Sequence, residues 1–167
     1  MDKPFARIAS KIGQSFHSFE LKVENGKAAS EAFRAAGCKV ASDYGVFFFV
    51  KNESTGGVLL EVCETPMPND PYDRANWGPD AGTGHASGVL RLDHIACVTN
   101  DIAQALHFFT QCVDGALLLD ERTTLPQPGR RVLIHVGDTQ VAFIQPDDTA
   151  GRAIDGVVLA AEDSAFE

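Results

Sequence analysis

The chain has 167 residues, and its 44% apolar content is enough to fill the core of one domain or of two small ones. Its formal net charge of −9 argues against binding to nucleic acid or to an anionic membrane surface. No apolar run approaches the roughly 20 residues of a bilayer span, and the N-terminus lacks the apolar stretch of a secretory signal, so we expect a cytoplasmic protein. The four cysteines are widely spaced, which favours reduced thiols over a zinc site or disulfides.

Residues 1–64 predict a unit of the order βαβββ. Phe16–Val23 alternates polar and apolar side chains, which is the period of a half-buried strand. Apolar residues then recur at helical spacing from Ala28 to Ala36, and Gly37 is a suitable residue to end this helix. Three short runs of β-type sequence follow, and we interpret them as strands: Lys39–Ser42, Val46–Lys51 and Gly57–Cys63.

Residues 65–88 predict a linker, because they hold four of the eight prolines together with four glycines. Residues 89–150 then repeat the βαβββ order. A strand at Leu90–Thr99 precedes a helix whose apolar stripe runs from Ile102 to Val113, and three further strands follow: Ala116–Thr123, Arg131–Val136 and Gln140–Gln145. The repeat predicts an α+β fold of paired βαβββ units. Residues 151–167 predict an extra strand or the start of a further unit.

The first and last strands of each unit carry the side chains of chemical interest. His94 shares a face with Ala96 and Val98, whereas the apolar neighbours on the other face should cover the helix. Gln145 lies in phase with Phe143 on the last strand of the second unit. In the first unit Glu61 lies within an apolar run, where a carboxylate must be paired, hydrogen-bonded or bound to a metal, unless it lies on an exposed edge strand.

The start of the second unit resembles that of units in the vicinal-oxygen-chelate superfamily, which includes glyoxalases, methylmalonyl-CoA epimerases, ring-cleaving dioxygenases and bleomycin-resistance proteins. The resemblance lies in Leu92–Ala96 and in Asn100–Ile102, which opens a helix with Phe108-Phe109. Ser54–Glu61 resembles the end of the second unit of the epimerases, and Asp2–Gly13 resembles the segment that leads into that unit. The chain therefore resembles epimerase-like proteins with the two units in reversed order, either as a permuted domain or as a stretch of a longer tandem protein.

The resemblance implies a metal site built from His94, Gln145 and Glu61, with Ser18 or His17 as a weaker fourth ligand. Such a donor set suits Mn, Co, Ni, Zn or Fe(II). The implied chemistry is Lewis-acid stabilisation of an enolate-like intermediate, with Glu61, or alternatively Glu20, moving the proton. Extradiol dioxygenase chemistry asks for two histidines and a carboxylate, and no second histidine in the right phase is evident. The resemblance also implies that the paired units form a curled mixed sheet around a substrate cup, which would be lined by Glu20, Phe143 and His135.

Three functions remain open from the sequence. The first is a divalent-metal lyase, isomerase or epimerase that acts on a small carbonyl or thioester substrate. The second is a metal-free protein that binds a small hydrophobic or cationic molecule, as bleomycin-resistance proteins do, and the third is an inactive part of a tandem protein. We expect a small-molecule ligand and a homodimer that closes the partial units, possibly with exchanged units, and no nucleic-acid partner.

Overall fold

The computed structural model describes residues 18–67, 69–70, 93–124 and 128–148. The first unit forms a four-stranded sheet, sheet 1, with the strand order β1-β4-β3-β2. Strands β1 and β4 are parallel and the other neighbours are antiparallel. The elements of this unit are β1 (Phe19–Val23), α1 (Gly26–Ala35), β2 (Val40–Ala41), β3 (Phe47–Val50), a short 3₁₀ turn (Asn52–Ser54) and β4 (Leu60–Glu64).

The second unit repeats this topology in sheet 2, whose strand order is β5-β8-β7-β6. Its elements are β5 (Ile95–Val98), α2 (Ile102–His107), which continues as a π-helical turn (Phe108–Cys112), β6 (Ala116–Thr123), β7 (Gly129–Val136) and β8 (Thr139–Pro146). The predicted α+β fold of two βαβββ units is confirmed, although the two sheets are not closed on each other. Of the predicted linker at 65–88, residues 68 and 71–88 lie outside the described residues, as do the tail at 151–167 and His17.

Both helices begin in the same way, because each has an acceptor side chain at its N-terminal cap. The Oδ1 atom of Asn25 accepts from the Ala28 N–H at 2.8 Å, and the Oδ1 atom of Asp101 accepts from the Gln104 N–H at 2.9 Å. Such caps satisfy backbone donors that have no partner within the helix. The two units therefore repeat one another in local hydrogen bonding as well as in strand order.

The two units share one hydrophobic core, which lies between the two sheets. Sheet 1 contributes buried residues such as Phe48 and Leu60, and sheet 2 contributes residues such as Val132 and Phe143. The helices lie in this core, and the ring of Phe33 on α1 stacks on the ring of Phe108 at a centroid distance of 5.7 Å. Each sheet therefore turns its helix-covered face toward the other unit. We call the opposite face of each sheet its open face.

Polar contacts also join the two units. The Thr99 hydroxyl donates to the Gly56 carbonyl oxygen, and the Gln104 amide donates to the Ser54 carbonyl oxygen at 2.8 Å. Thr99 and Gly56 are buried, so these groups need partners inside the protein. These hydrogen bonds hold the turn that precedes β4 against the start of α2. Within the described ranges, no helix is long and apolar enough to cross a membrane.

Candidate functional site

His94 immediately precedes β5, and strand alternation places it on the open face of sheet 2 with Ala96 and Val98. Its side chain is 24% exposed, and its Nδ1 atom lies 2.9 Å from the Oδ2 atom of Asp93. A histidine that binds a metal typically donates its other ring N–H to a carboxylate in this way, which fixes the ring and the tautomer. With the proton on Nδ1, Nε2 is the nitrogen that presents a lone pair. Asp93 was not among the predicted site residues, although it directly precedes the histidine that it orients.

The rest of this face is mostly apolar. Ala142 and Ile144 of β8 are buried, and Leu133 of β7 is half-buried. Arg131 forms an ion pair with Glu121 of the neighbouring strand at 2.6 Å. His135 is exposed near the end of β7, in phase with Leu133 and Arg131, so the register places it on the open face. Its part in lining a substrate cup stays a prediction.

The structure does not bring Gln145 to the same face as His94. Its Oε1 atom accepts a hydrogen bond from the Ile102 N–H at 2.8 Å, which places the amide at the start of α2 on the helix-covered side. Glu64 does the same in the first unit, where its Oε2 atom accepts from the Gly26 N–H at 2.8 Å. The register makes the two residues equivalent. Glu64 lies four residues after Leu60, which pairs with Phe19 at the start of β1, and Gln145 lies four residues after Val141, which pairs with Ile95 at the start of β5.

Gln140 is the amide that β8 does present on the open face. It pairs with His135 of β7 and directly precedes Val141, which pairs with Ile95. Strand alternation puts its side chain in phase with Ala142 and therefore beside His94. Gln140 was not among the predicted site residues. Alternation from His94 across the parallel pair β5 and β8 is the signal that finds it.

If Gln145 caps α2, then changing it affects stability rather than metal binding. We expect Gln145→Ala to lower the free energy of unfolding by about 1 kcal/mol, because the Ile102 N–H loses its acceptor. Gln145→Glu keeps an acceptor at the positive end of the helix and should retain that stability. Urea unfolding measures both variants, with Gln111→Ala at an exposed position as the control. A Gln145→Ala chain that keeps its stability and loses metal binding would contradict this role.

The open face of sheet 1 carries Glu61 and a group of further charges. The Ser18 hydroxyl donates to the Oε1 atom of Glu61 at 3.0 Å, and Glu20 pairs directly with Glu61 in the parallel ladder. Lys22 contacts Glu20 at 2.5 Å and Asp70 at 2.6 Å. Burial lowers the pKa of the Lys22 ammonium, but its hydrogen bonds to Asp70 and Glu20 outweigh burial and hold that pKa above its usual value.

Aromatic rings flank these charges. Phe49 lies opposite Glu61 in the register, and its ring meets that of Phe47 edge to face at 5.0 Å. Phe143, which the sequence analysis placed in the substrate cup, instead lies in the core and is fully buried, 4.9 Å from the ring of Phe109. The predicted cup lining is therefore wrong at Phe143, because its side of β8 faces α2.

The two candidate donors, His94 and Glu61, lie on open faces that point away from the shared core, so the layer of helices separates them. In the part of the chain that the structure describes, no three His, Cys, Asp or Glu side chains come together as a metal-binding group. Imidazole, amide and carboxylate oxygens are suitable ligands for a divalent ion. Within one chain these donors are not arranged to bind a single ion, because no sheet face holds His94, Gln145 and Glu61 together.

Comparisons with known proteins support the resemblance noted in the sequence. Residues 91–165 match the model of the Glyoxalase/Bleomycin resistance protein/Dioxygenase superfamily. Among solved structures, a mutant of 4-hydroxymandelate synthase from Streptomyces coelicolor matches with a TM-score of 0.63 and 19% identity, over 93% of this chain and 47% of that one. The chain thus has the fold of this superfamily and spans about half the length of that structure.

A second match is weaker. Lactoylglutathione lyase from Agrobacterium tumefaciens is 16% identical over 80% of this chain and 95% of its own, with a TM-score of 0.39. A score of this size adds nothing to the assignment of the fold. No curated protein matches the chain. The similarity to epimerases and the reversed order of the units stay predictions.

Proposed function

We propose that this chain is part of a divalent-metal enzyme of the glyoxalase type, in which the open face of each sheet forms one half of a substrate cup. The enzyme would be a lyase, isomerase or epimerase that acts on a small carbonyl or thioester substrate. The observation that carries the proposal is His94, which lies half-buried on an open sheet face with its Nδ1 atom beside the carboxylate of Asp93. Such a pair orients an imidazole for metal binding. The surrounding apolar face would shield a small substrate from water.

The two units are complementary in the donors that they offer. Ser18 and Glu61 are in contact on sheet 1, at the start of its first strand and on its last strand. The register makes His94 and Ala142 the equivalent positions of sheet 2. Among the described residues, the two positions in sheet 2 hold an imidazole and an alanine, and those in sheet 1 hold a hydroxyl and a carboxylate. A site with both donors needs one face of each kind, and an ion bound there would polarise a substrate oxygen as a Lewis acid.

We propose that the second face comes from another copy of the chain. The described open face of sheet 1 carries the carboxylates Glu20, Glu61 and Asp70 beside Lys22, and a carboxylate is the donor that would complete a site with His94. Because the two faces of one chain point apart, joining unlike faces makes a head-to-tail assembly. A two-fold dimer would place His94 against His94 instead.

A further βαβββ unit of a longer chain is the alternative source of the second face. Two observations favour it: the family match runs to residue 165, beyond β8, and the 4-hydroxymandelate synthase structure is about twice as long as this chain. In that case the chain alone would be monomeric and sheet 2 would lack its complement. The mass of the purified chain separates the two sources.

The test combines mass by light scattering with bound metal per chain, after addition of Mn, Co, Ni, Zn or Fe(II). Wild-type chain should self-associate and bind metal, and His94→Ala and Glu61→Ala should each lower the affinity by at least about 10-fold. His107→Ala, at an exposed position on α2, is the matched control. An equimolar mixture of the His94→Ala and Glu61→Ala chains should recover about one quarter of the wild-type sites. When the chains associate at random, this is the fraction of head-to-tail contacts in which both His94 and Glu61 are intact.

Three results would contradict the proposal. A monomer that binds no metal excludes completion by a second copy and points to a further unit. Metal binding that the His94→Ala variant retains would remove His94 from the site, whatever the oligomeric state. A mixture that recovers no sites, although both variants self-associate normally, would separate Glu61 from the site that holds His94.

A further inference from the structure

Two cysteines from different units lie side by side at the interface between the units. The Sγ atoms of Cys38 and Cys112 are 3.9 Å apart, although 74 positions separate these residues in the sequence. Both side chains are half-buried and pack against the shared core. Cys38 follows the end of α1, and Cys112 is the last residue of the π-helical turn that ends α2. The ends of the two helices therefore meet at a dithiol.

We propose that Cys38 and Cys112 form an oxidation site, at which hydrogen peroxide joins the two units of one chain through a disulfide. The sulfur atoms must approach from 3.9 Å to about 2.0 Å, which rotation about the side-chain bonds and small shifts of the two helix ends can supply. Helix ends adjust more easily than helix interiors, because their last carbonyl groups have no partner within the helix. Cys63 and Cys97 are buried in the two sheets and have no place in this site.

The reaction balances with one peroxide for each pair of thiols. A thiolate of the pair attacks one peroxide oxygen and becomes a sulfenic acid, and the O–O bond breaks with release of hydroxide, which takes up a proton to give water. The thiolate of the other cysteine attacks the sulfenic sulfur, the S–S bond forms, and the hydroxyl group leaves as a second water. Both thiols are oxidised and the peroxide is reduced to two waters.

The environment of Cys38 makes this oxidation slow at neutral pH. Burial raises the pKa of the Cys38 thiol to about 11, and the neighbouring Cys112 adds to the rise. Cys38 acts as the nucleophile in one of the two steps, whichever sulfur peroxide meets first. The rate of the step that needs the Cys38 thiolate should therefore rise about tenfold per pH unit between pH 7 and pH 9.

The disulfide would fix the arrangement of the two units. It closes a long loop and ties α1 to α2 inside the layer that separates the open faces. A cross-link over this span should raise the midpoint of thermal unfolding by about 10 °C. It would also prevent exchange of units between copies, because in an exchanged pair the neighbouring cysteines belong to different chains.

The experiment treats the wild-type chain with hydrogen peroxide at pH 7, 8 and 9 and identifies unreduced peptides by mass spectrometry. We expect a Cys38–Cys112 cross-link within one chain, a mass loss of about 2 Da, a higher melting temperature and faster formation at higher pH. Cys38→Ser and Cys112→Ser should abolish the cross-link, and Cys63→Ala should retain it. No cross-link at any pH would overturn the proposal, as would a cross-link that joins two chains. Neither result depends on metal binding.

Discussion

The Gly56→Ala variant is expected to lose about 3 kcal/mol of unfolding free energy, because this glycine lies where the two units touch. A Cβ atom at this position would lie 2.6 Å from the Cβ atom of Ala105 and 2.8 Å from the Asp101 carbonyl oxygen. Both atoms belong to the start of the second unit, so the strain acts on the contact between units. Its φ of +75° adds a backbone cost for any residue with a side chain.

Gly37→Ala is the matched control for this substitution. Gly37 has a similar φ of +82°, but a Cβ atom there would meet nothing within 4 Å. It should therefore lose only the backbone contribution, about 1 kcal/mol. Urea unfolding gives the difference in unfolding free energy between the two variants. That difference is the cost of the steric contact between the added methyl group of Gly56→Ala and the second unit. Equal losses for Gly56→Ala and Gly37→Ala would mean that the units do not touch at this turn.

A second large effect is expected at Phe108, where Phe108→Ala should cost about 4 kcal/mol of unfolding free energy. The Phe108 side chain is fully buried, stacks on Phe33 of the first unit and meets Phe109 edge to face at 5.1 Å. Its truncation leaves a cavity between the two helices, which adds to the lost burial of apolar surface. Chemical denaturation followed by circular dichroism measures this loss.

Tyr44→Ala provides the control for the loss of a large aromatic ring. Tyr44 is 73% exposed, so its truncation should change the stability by less than about 1 kcal/mol. A double-mutant cycle with Phe33→Leu and Phe108→Leu should give a coupling energy of about 1 kcal/mol for the stacked pair. Additive losses in that cycle would show that the two rings do not contact each other in solution.

Much of the fold could be predicted from the sequence, because the relevant signals are local. Asn25 and Asp101 stand directly before stretches of helical periodicity, and both act as helix caps. The turn Gly137-Asp138 lies between two β-type runs and joins β7 to β8 in the structure. The βαβββ order that the alternating and helical periodicities predict occurs twice along the chain, and that repetition predicts two βαβββ units.

The direction of the side chains on β8 could not be predicted in the same way. This strand lies between β5 and β7, and its residues from Val141 to Ile144 are buried on both faces. A strand of this kind loses the alternation of polar and apolar residues that tells one face from the other. Gln145 and Gln140 therefore look alike in the sequence, and only the pairing of Ile95 with Val141 separates the helix cap from the open-face amide.

The way in which the two units pack together also could not be predicted from the sequence. The predicted cup required open faces to meet, whereas the aromatic residues of the helices pack together on the opposite side. Phe33, Phe108 and Phe109 are each buried in the shared core. Which apolar surface meets which depends on the shapes of two assembled units, and no local pattern encodes that choice.

The two units of one chain pack through their helices, so that His94 and Glu61 lie on faces turned away from each other. Nuclear Overhauser effects between the ring protons of Phe33 and Phe108 test this packing, when they are measured in a mixture of labelled and unlabelled chains that separates contacts within a chain from contacts between chains. We predict a strong effect within one chain, because the ring centroids are 5.7 Å apart. An absent effect, or one that arises only between chains, would contradict this arrangement.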